Sequence, residues 1–321
     1  MHHSMRSPLT FLPAAVRGGI ALLALAVNTV LCTVPLFAFS LLKLLLPFAF
    51  VRRRVDPVLH GIASAWVFGN SLWMRLLHPT RWEVEGLPAP NRGGWYLVNC
   101  NHQSWADIFV LQHLLHGRVP MLKFFLKQEL IYVPVIGLAW WALDFPFMKR
   151  HGKEALRRNP DRRADDMEAT LRACRKFALV PTSVMNFAEG TRFTEDKRKQ
   201  QHSPYRHLLK PKAGALALTL GAMGDKFDGL IDVTIAYSPT IPGFWDFACG
   251  RVGRVAVHME QLPVPAEFIA LDYAGDSQGR KRFGRWLNAL WEKKDARMQA
   301  LLGTTPVEAL SDELAGEPAE V

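Results

Sequence analysis

The sequence predicts an α/β fold, a mostly parallel sheet covered by helices, with an N-terminal membrane-embedded helical anchor. Three observations predict it. From residue 81 onward, short apolar runs alternate with helix-like segments, the pattern of parallel strands joined through helices. Residues 18–42 are 25 residues in a row without a charge, where about 20 apolar residues suffice to cross a bilayer. The 321-residue chain is 49 % hydrophobic and carries a formal net charge of +10, enough apolar material for a sizeable core and an excess of cations for an anionic partner. The expected organisation is an anchor with interfacial helices over 1–80, an α/β domain over 81–302 and a tail over 303–321. The tail holds five acidic residues and no basic one, a composition that favours disorder.

The anchor comes first. Apolar character runs past Lys43 to Val51, Pro35 lies near its middle, and both flanks are basic: Arg6 and Arg17 before, Arg52, Arg53 and Arg54 after. Symmetric flanks fit either a single span with little orientational bias or a bent helix pair inserted from one side. In both cases Arg52–Arg54 are expected to face the cytoplasm and meet anionic lipid. A cleaved signal peptide is the competing reading, but the apolar region is too long for one. An amphipathic helix over 57–78, heavy in aromatics, suits an interfacial position or an ordinary core-facing one.

The remaining elements follow in order. A strand over 81–85 and a Gly/Pro/Asn turn lead to an apolar strand over 95–100. Then come a helix at about 105–116, a short strand 119–124, a helix at about 127–141 and a strand 144–148. A polar helix at about 161–177, a strand 180–187, a helix at about 212–223, strands 230–237 and 253–260, and a helix 281–302 complete the series. The four cysteines are scattered without zinc-like spacing and read as reduced.

The chemistry concentrates at Asn101-His102-Gln103-Ser104-Trp105-Ala106-Asp107, where a strand ends and a helix begins. On one regular helix His102 and Asp107 would lie on different faces. With His102 in the turn and Asp107 in the first helical turn, the carboxylate can fold back to the imidazole, hold one ring nitrogen protonated and leave the other as a base. A plain capping box, Ser104 as cap and Asp107 three residues on, is the competing reading. A second turn, Ala188-Glu189-Gly190-Thr191-Arg192, offers a glycine for close backbone approach, a hydroxyl, and a guanidinium suited to phosphate. Glu189 is expected to order Arg192 or to accept from a substrate hydroxyl. Arg150 and Lys127 are candidates to share an anion with Arg192. The basic stretch 149–163 suits a membrane surface. Nucleic acid is not expected as a partner, since no recognised motif or stacking platform accompanies it.

The His102–Asp107 block resembles the His-x4-Asp block of the glycerolipid acyltransferases that acylate lysophosphatidic acid, and Phe187–Arg192 resembles their Phe-Pro-Glu-Gly-Thr-Arg block, with Ala188 in the place of Pro. Phe147-Met148-Lys149-Arg150 lies between them as in the family. Arg192-Phe193-Thr194-Glu195, Leu208–Lys212 and Asp232–Tyr237 are similar to the lysophospholipid and lysocardiolipin acyltransferase-like branch, of which a bacterial member is the expected match. The resemblance implies transfer of an acyl group from acyl-coenzyme A or acyl carrier protein to the sn-2 hydroxyl of a lysophospholipid, at the cytoplasmic face of a bacterial inner membrane. It implies His102 as general base, Asp107 as the group fixing its tautomer, and Glu189, Gly190, Thr191 and Arg192 as glycerophosphate-binding, with Arg150 and Lys127 helping. No cofactor and no metal are expected, because the donor arrives activated. A thioesterase or lipid hydrolase, and a non-catalytic membrane lipid-binding protein, are the alternatives. The acceptor headgroup stays open, since the fourth block lacks the Pro-Val pattern of the commoner bacterial members.

Overall fold

A computed structural model describes residues 2–3, 7–46, 48–89, 91–148 and 162–303. The basic stretch 149–161, with Arg150, and the acidic tail lie outside the described residues, as does Arg6.

The elements are β1 (His2–His3), α1 (Ala14–Leu45), α2 (Ala49–Leu77), β2 (Arg81–Glu85), β3 (Tyr96–Cys100), α3 (Ala106–Leu115), β4 (Leu122–Phe124), β5 (Leu126–Lys127), a 3-10 turn Gln128–Tyr132 and α4 (Ile136–Ala142). They continue with β6 (Phe147–Met148), α5 (Arg162–Phe177), β7 (Ser183–Phe187), α6 (Glu195–Gln200), α7 (Ala213–Met223), β8 (Gly229–Ser238), α8 (Phe244–Ala248), β9 (Arg254–Leu262), a 3-10 turn Ala266–Phe268 and α9 (Ser277–Gly303).

Seven strands form one sheet in the order β1-β2-β9-β8-β3-β7-β4. Pairings β2–β9, β8–β3, β3–β7 and β7–β4 are parallel; β9–β8 and β1–β2 are antiparallel. The mostly parallel sheet is therefore present, and its central strands are buried along nearly their whole length because both faces are covered. The period of two decides which side chain goes where. Ile231, Val233, Ile235 and Tyr237 of β8 and Tyr96, Val98 and Cys100 of β3 join α2 and α3 in one core. Leu97, Leu230 and Ala236 point the other way, into the core under α5, α7 and α9.

The N-terminal apolar stretch forms one arm of a helical hairpin. α1 runs unbroken through Pro35, 32 residues and about 48 Å at 1.5 Å per residue. It packs against α2, which begins eight residues earlier than the sequence suggested and carries exposed Arg52, Arg53 and Arg54 in its first turns. Polar residues in α1 join the two arms. Asn28 donates to the Trp66 carbonyl (2.8 Å) and to Asn70 Oδ1 (2.9 Å), and Trp66 Nε1 donates to Thr29 Oγ1 (3.0 Å). Lys43 closes the far end on Asp56 (2.7 Å) and Asp144 (3.3 Å).

Two expected elements differ. The helix expected at 127–141 is a 3-10 turn and a short α4, broken at Val133-Pro134-Val135. Proline disfavours helical geometry in the residue before it and has no N–H to give, and Val135 sits at φ +66°. The strand expected at 144–148 shrinks to β6, which pairs with β5 outside the main sheet.

Candidate active site

β3, β7 and β8 end side by side, because β3 pairs with both neighbours in parallel, Cys100 opposite Phe187 and Val233. The turns after β3 and β7 therefore leave the sheet together, at the carboxyl ends where open α/β sheets bind ligands. Asn101 extends the sheet by side chain: its amide donates to the Ile235 carbonyl and accepts from the Ile235 N–H, both 2.9 Å. The next residue is His102.

The chain does fold back. Asp107 Oδ2 lies 2.8 Å from His102 Nδ1, and also accepts from the N–H groups of Gln103 (2.7 Å) and Ser104 (3.0 Å). Its other oxygen accepts from Tyr237 Oη at 2.7 Å. A carboxylate only accepts, so Nδ1 carries the proton and Nε2 keeps the lone pair. The imidazole stacks on Phe187, centroids 4.0 Å apart, and its side chain is 16 % exposed while Asp107 is fully buried. One ring edge is thus held and the other is open to a reactant. The capping reading and the dyad reading are both partly true of this turn. Asp107 caps the Ser104 N–H and orients His102 with the same oxygen, while the Ser104 hydroxyl accepts from the Ala106 N–H (3.1 Å) and donates to the Pro242 carbonyl (2.6 Å).

The second turn grips the first. Glu189, with no exposed surface, accepts from the His102 N–H (3.0 Å) through one oxygen and from the Leu209 N–H (3.1 Å) through the other. The Phe193 N–H donates to the His102 carbonyl at 2.7 Å. Burial pushes the Glu189 carboxyl up to about 8, against the pull of those two N–H groups. Of the two roles expected for Glu189, no described bond joins it to Arg192, and meeting a substrate hydroxyl stays an expectation. Its oxygens are turned inward onto backbone, where they hold the His102 turn.

The cationic side of the site surrounds the rest of this turn. Gly190 has φ +67°, and a side chain there would meet the Lys212 Nζ at 3.0 Å. Lys197 Nζ donates to Thr191 Oγ1 and to the Arg192 carbonyl, both 3.0 Å. The exposed Arg192 guanidinium stands over the Trp105 ring, 4.9 Å from its centroid, within the His102 turn. Arg192 and His102 are therefore brought together. Lys127 is exposed on β5, opposite Met148, and makes no described contact with Arg192 or His102. Sequence reasoning gave Lys197, Trp105 and Tyr237 no role. Tyr237 closes an alternating apolar stripe, and a polar tip at the carboxyl end of a core strand was the available signal.

The acyltransferase family profile matches residues 81–238. The human 1-acyl-sn-glycerol-3-phosphate acyltransferase gamma is 24 % identical over 185 residues, covering 54 % of this chain and 44 % of that protein. The mouse delta enzyme is 24 % identical over 217 residues, covering 62 % and 51 %. The chain thus spans about half the length of these curated relatives. A solved structure of a 1-acyl-sn-glycerophosphate (LPA) acyltransferase from Thermotoga maritima aligns over 96 % of this chain and all of that one, at 15 % identity and a TM-score of 0.46.

Proposed function

We propose that the chain, whose residues 81–238 match the acyltransferase family profile, is a glycerolipid acyltransferase that moves a fatty acyl group from a thioester to the sn-2 hydroxyl of lysophosphatidic acid or a related lysophospholipid. The observation that carries this reading is the 2.8 Å bond between His102 Nδ1 and the buried Asp107 carboxylate, with Nε2 left open. Nε2 takes the proton of the acceptor hydroxyl, the alkoxide attacks the thioester carbonyl, the carbon–sulfur bond breaks, and the imidazolium returns its proton to the thiolate. The thiolate leaves readily, so no acyl-enzyme is required. Arg192 and Lys212, with the Thr191–Lys197 pair and the backbone at Gly190, supply the positive side of the site for the acceptor phosphate. Arg150 and Lys127 keep the supporting role the resemblance implies. Glu189 supports the site by holding His102 through its backbone N–H.

The acyl donor is acyl-coenzyme A or acyl carrier protein, a co-substrate, and no cofactor is invoked. Both are made in the cytoplasm, so the proposed location is the cytoplasmic face of the membrane that holds the acceptor. The outward side of α1 supports attachment there: Leu23, Val30, Leu31, Val34, Leu44 and Leu45 are all exposed. α1 also packs against α2, α4 and α8 of the body. That favours a hairpin of α1 and α2 seated from one side over a span that leaves the domain; the pair expected to bend within 18–51 is not formed, since α1 is continuous through Pro35.

The test is thiol release from an acyl-coenzyme A by the membrane-bound protein, with and without lysophosphatidic acid. Release that requires the acceptor, and that drops by about 10²–10⁴-fold in His102→Ala, is expected. Acceptor-independent release would identify a hydrolase. No release, with acyl carrier protein substituted for coenzyme A as well, would set the lysophosphatidic acid reading aside.

A further inference from the structure

We infer that Tyr237 is a positioning residue of the dyad: from the end of β8 it fixes the rotation of the Asp107 carboxylate and takes up part of its charge, and so sets the basicity of His102. Three hydrogen bonds to Asp107 fall on Oδ2, from His102, Gln103 and Ser104. Among the described residues the donor to Oδ1 is Tyr237 Oη, at 2.7 Å. Rotation about the Cβ–Cγ bond would carry Oδ2 off these donors, and a donor on Oδ1 adds to the resistance. Pinned at both oxygens, the carboxylate presents the same one to Nδ1 throughout the reaction.

The placement follows from the register. β8 runs beside β3, and the Asn101 amide ties the His102 turn to Ile235, two residues before Tyr237. Alternation puts Ile231, Val233, Ile235 and Tyr237 on the α3 side of the sheet, and the last of them reaches the first turn of α3, where Asp107 sits. The phenol is buried, and burial together with the adjacent Asp107 carboxylate raises it well above its ordinary range. It therefore donates at every working pH. The other ionisable groups that feel this pair are Cys100 on β3 and Glu189 after β7, and Lys294, paired with Asp232, acts on those two in turn. All of them stay in place when only the phenolic oxygen is removed.

The inference rests on the acyltransferase reading, and its test separates the two. Tyr237→Phe keeps the ring in the core and deletes the donor. Hydrogen bonds to a charged partner are stronger than neutral ones, and kcat should fall about tenfold with the acceptor KM little changed. Without the phenol the carboxylate pulls harder on a protonated imidazole. The acidic limb of the kcat–pH profile should then move up by about half a unit to one unit. The His102 ring resonance, identified by its absence in His102→Ala, should titrate correspondingly higher in NMR. That titration needs no turnover, so it decides the role of Tyr237 even if the protein proves to transfer nothing. A Tyr237→Phe protein that melts lower, yet leaves the limb and the His102 titration in place or moves them down, would show a purely structural tyrosine and overturn the inference.

Discussion

At the scale of single residues, Asp107 holds the start of α3 and the tautomer of His102 through one oxygen, and two substitutions separate these roles. Asp107→Asn keeps an oxygen for the Gln103 and Ser104 N–H groups and for Nδ1–H but loses the charge. Asp107→Ala loses the acceptor altogether. The expected outcome is a large loss of kcat, about 10²-fold or more, in both, with Asp107→Ala further destabilised by roughly 1 kcal/mol for the lost cap. Thermal melts beside initial rates measure this; a fully active Asp107→Asn would remove the carboxylate from the mechanism. Glu189 gives a pH dependence of known sign. Its folded value, about 8, lies above the ordinary carboxyl value of 4.5. The folded state therefore holds a proton that the unfolded state has already released. The resulting stability is fully present below about 4.5 and is lost as pH rises through about 8. Glu189→Gln, which cannot ionise but sets an NH2 against one of the two N–H donors, should melt lower at pH 5 and lose less between pH 5 and pH 8 than the wild type. Melts at the two pH values decide it; equal losses would mean that Glu189 is ionised throughout.

At the scale of elements, the sequence made the sheet and the two turns legible and left the connections less so. The largely apolar runs in β3, β7 and β8 carry their own signal, because burial on both faces favours them. The join between the turns was out of reach, since it depends on which strands are neighbours: nothing local says that Glu189 meets the His102 N–H, or that Tyr237 meets Asp107. The helix expected over 127–141 is broken for a local reason, Pro134, which has no N–H to give and disfavours helical geometry in the residue before it. The sequence offered a single span or a pair bent within 18–51, and the hairpin of α1 with α2 is neither; Asn28 carries the signal for it, a polar group in an uncharged stretch that needs a partner. Its exposed side makes a quantitative test. Leu31 is 68 % and Val34 65 % exposed, and the neighbouring α4 adds Leu138 at 55 %. If this side sits in lipid, Leu31→Glu or Val34→Glu should weaken co-sedimentation with anionic vesicles about tenfold or more each. Activity on a short-chain, water-soluble acceptor should persist. Unchanged vesicle binding would place the lipid contact elsewhere.

At the scale of the whole molecule, the site depends on a helix far from it in sequence. Lys294 of α9 is completely buried; it pairs with Asp232 Oδ2 at 2.8 Å and donates to the Val233 carbonyl at 2.6 Å, its Nζ lying 5.4 Å from the Trp291 ring centroid. Asp232 in turn accepts from Asn99 Nδ2 at 2.8 Å. This network joins α9, β8 and β3 on the face of the sheet opposite α3. β8 and β3 are the strands whose ends carry Tyr237 and His102, so the network holds the register on which the dyad rests. Breaking a buried ion pair by removing one partner strands the other charge and costs about 3–5 kcal/mol. Lys294→Met should therefore lower Tm by roughly 6 °C or more for a chain of this size. Asp232→Asn added to Lys294→Met removes the stranded charge and should restore part of the loss. Activity should follow the fraction folded, with the acceptor KM and the pH limb of the surviving enzyme unchanged. A Lys294→Met protein as stable as wild type would mean that the pair contributes nothing to the register. One of normal Tm but altered pH limb would mean that the Lys294 charge acts on the dyad directly, through the sheet.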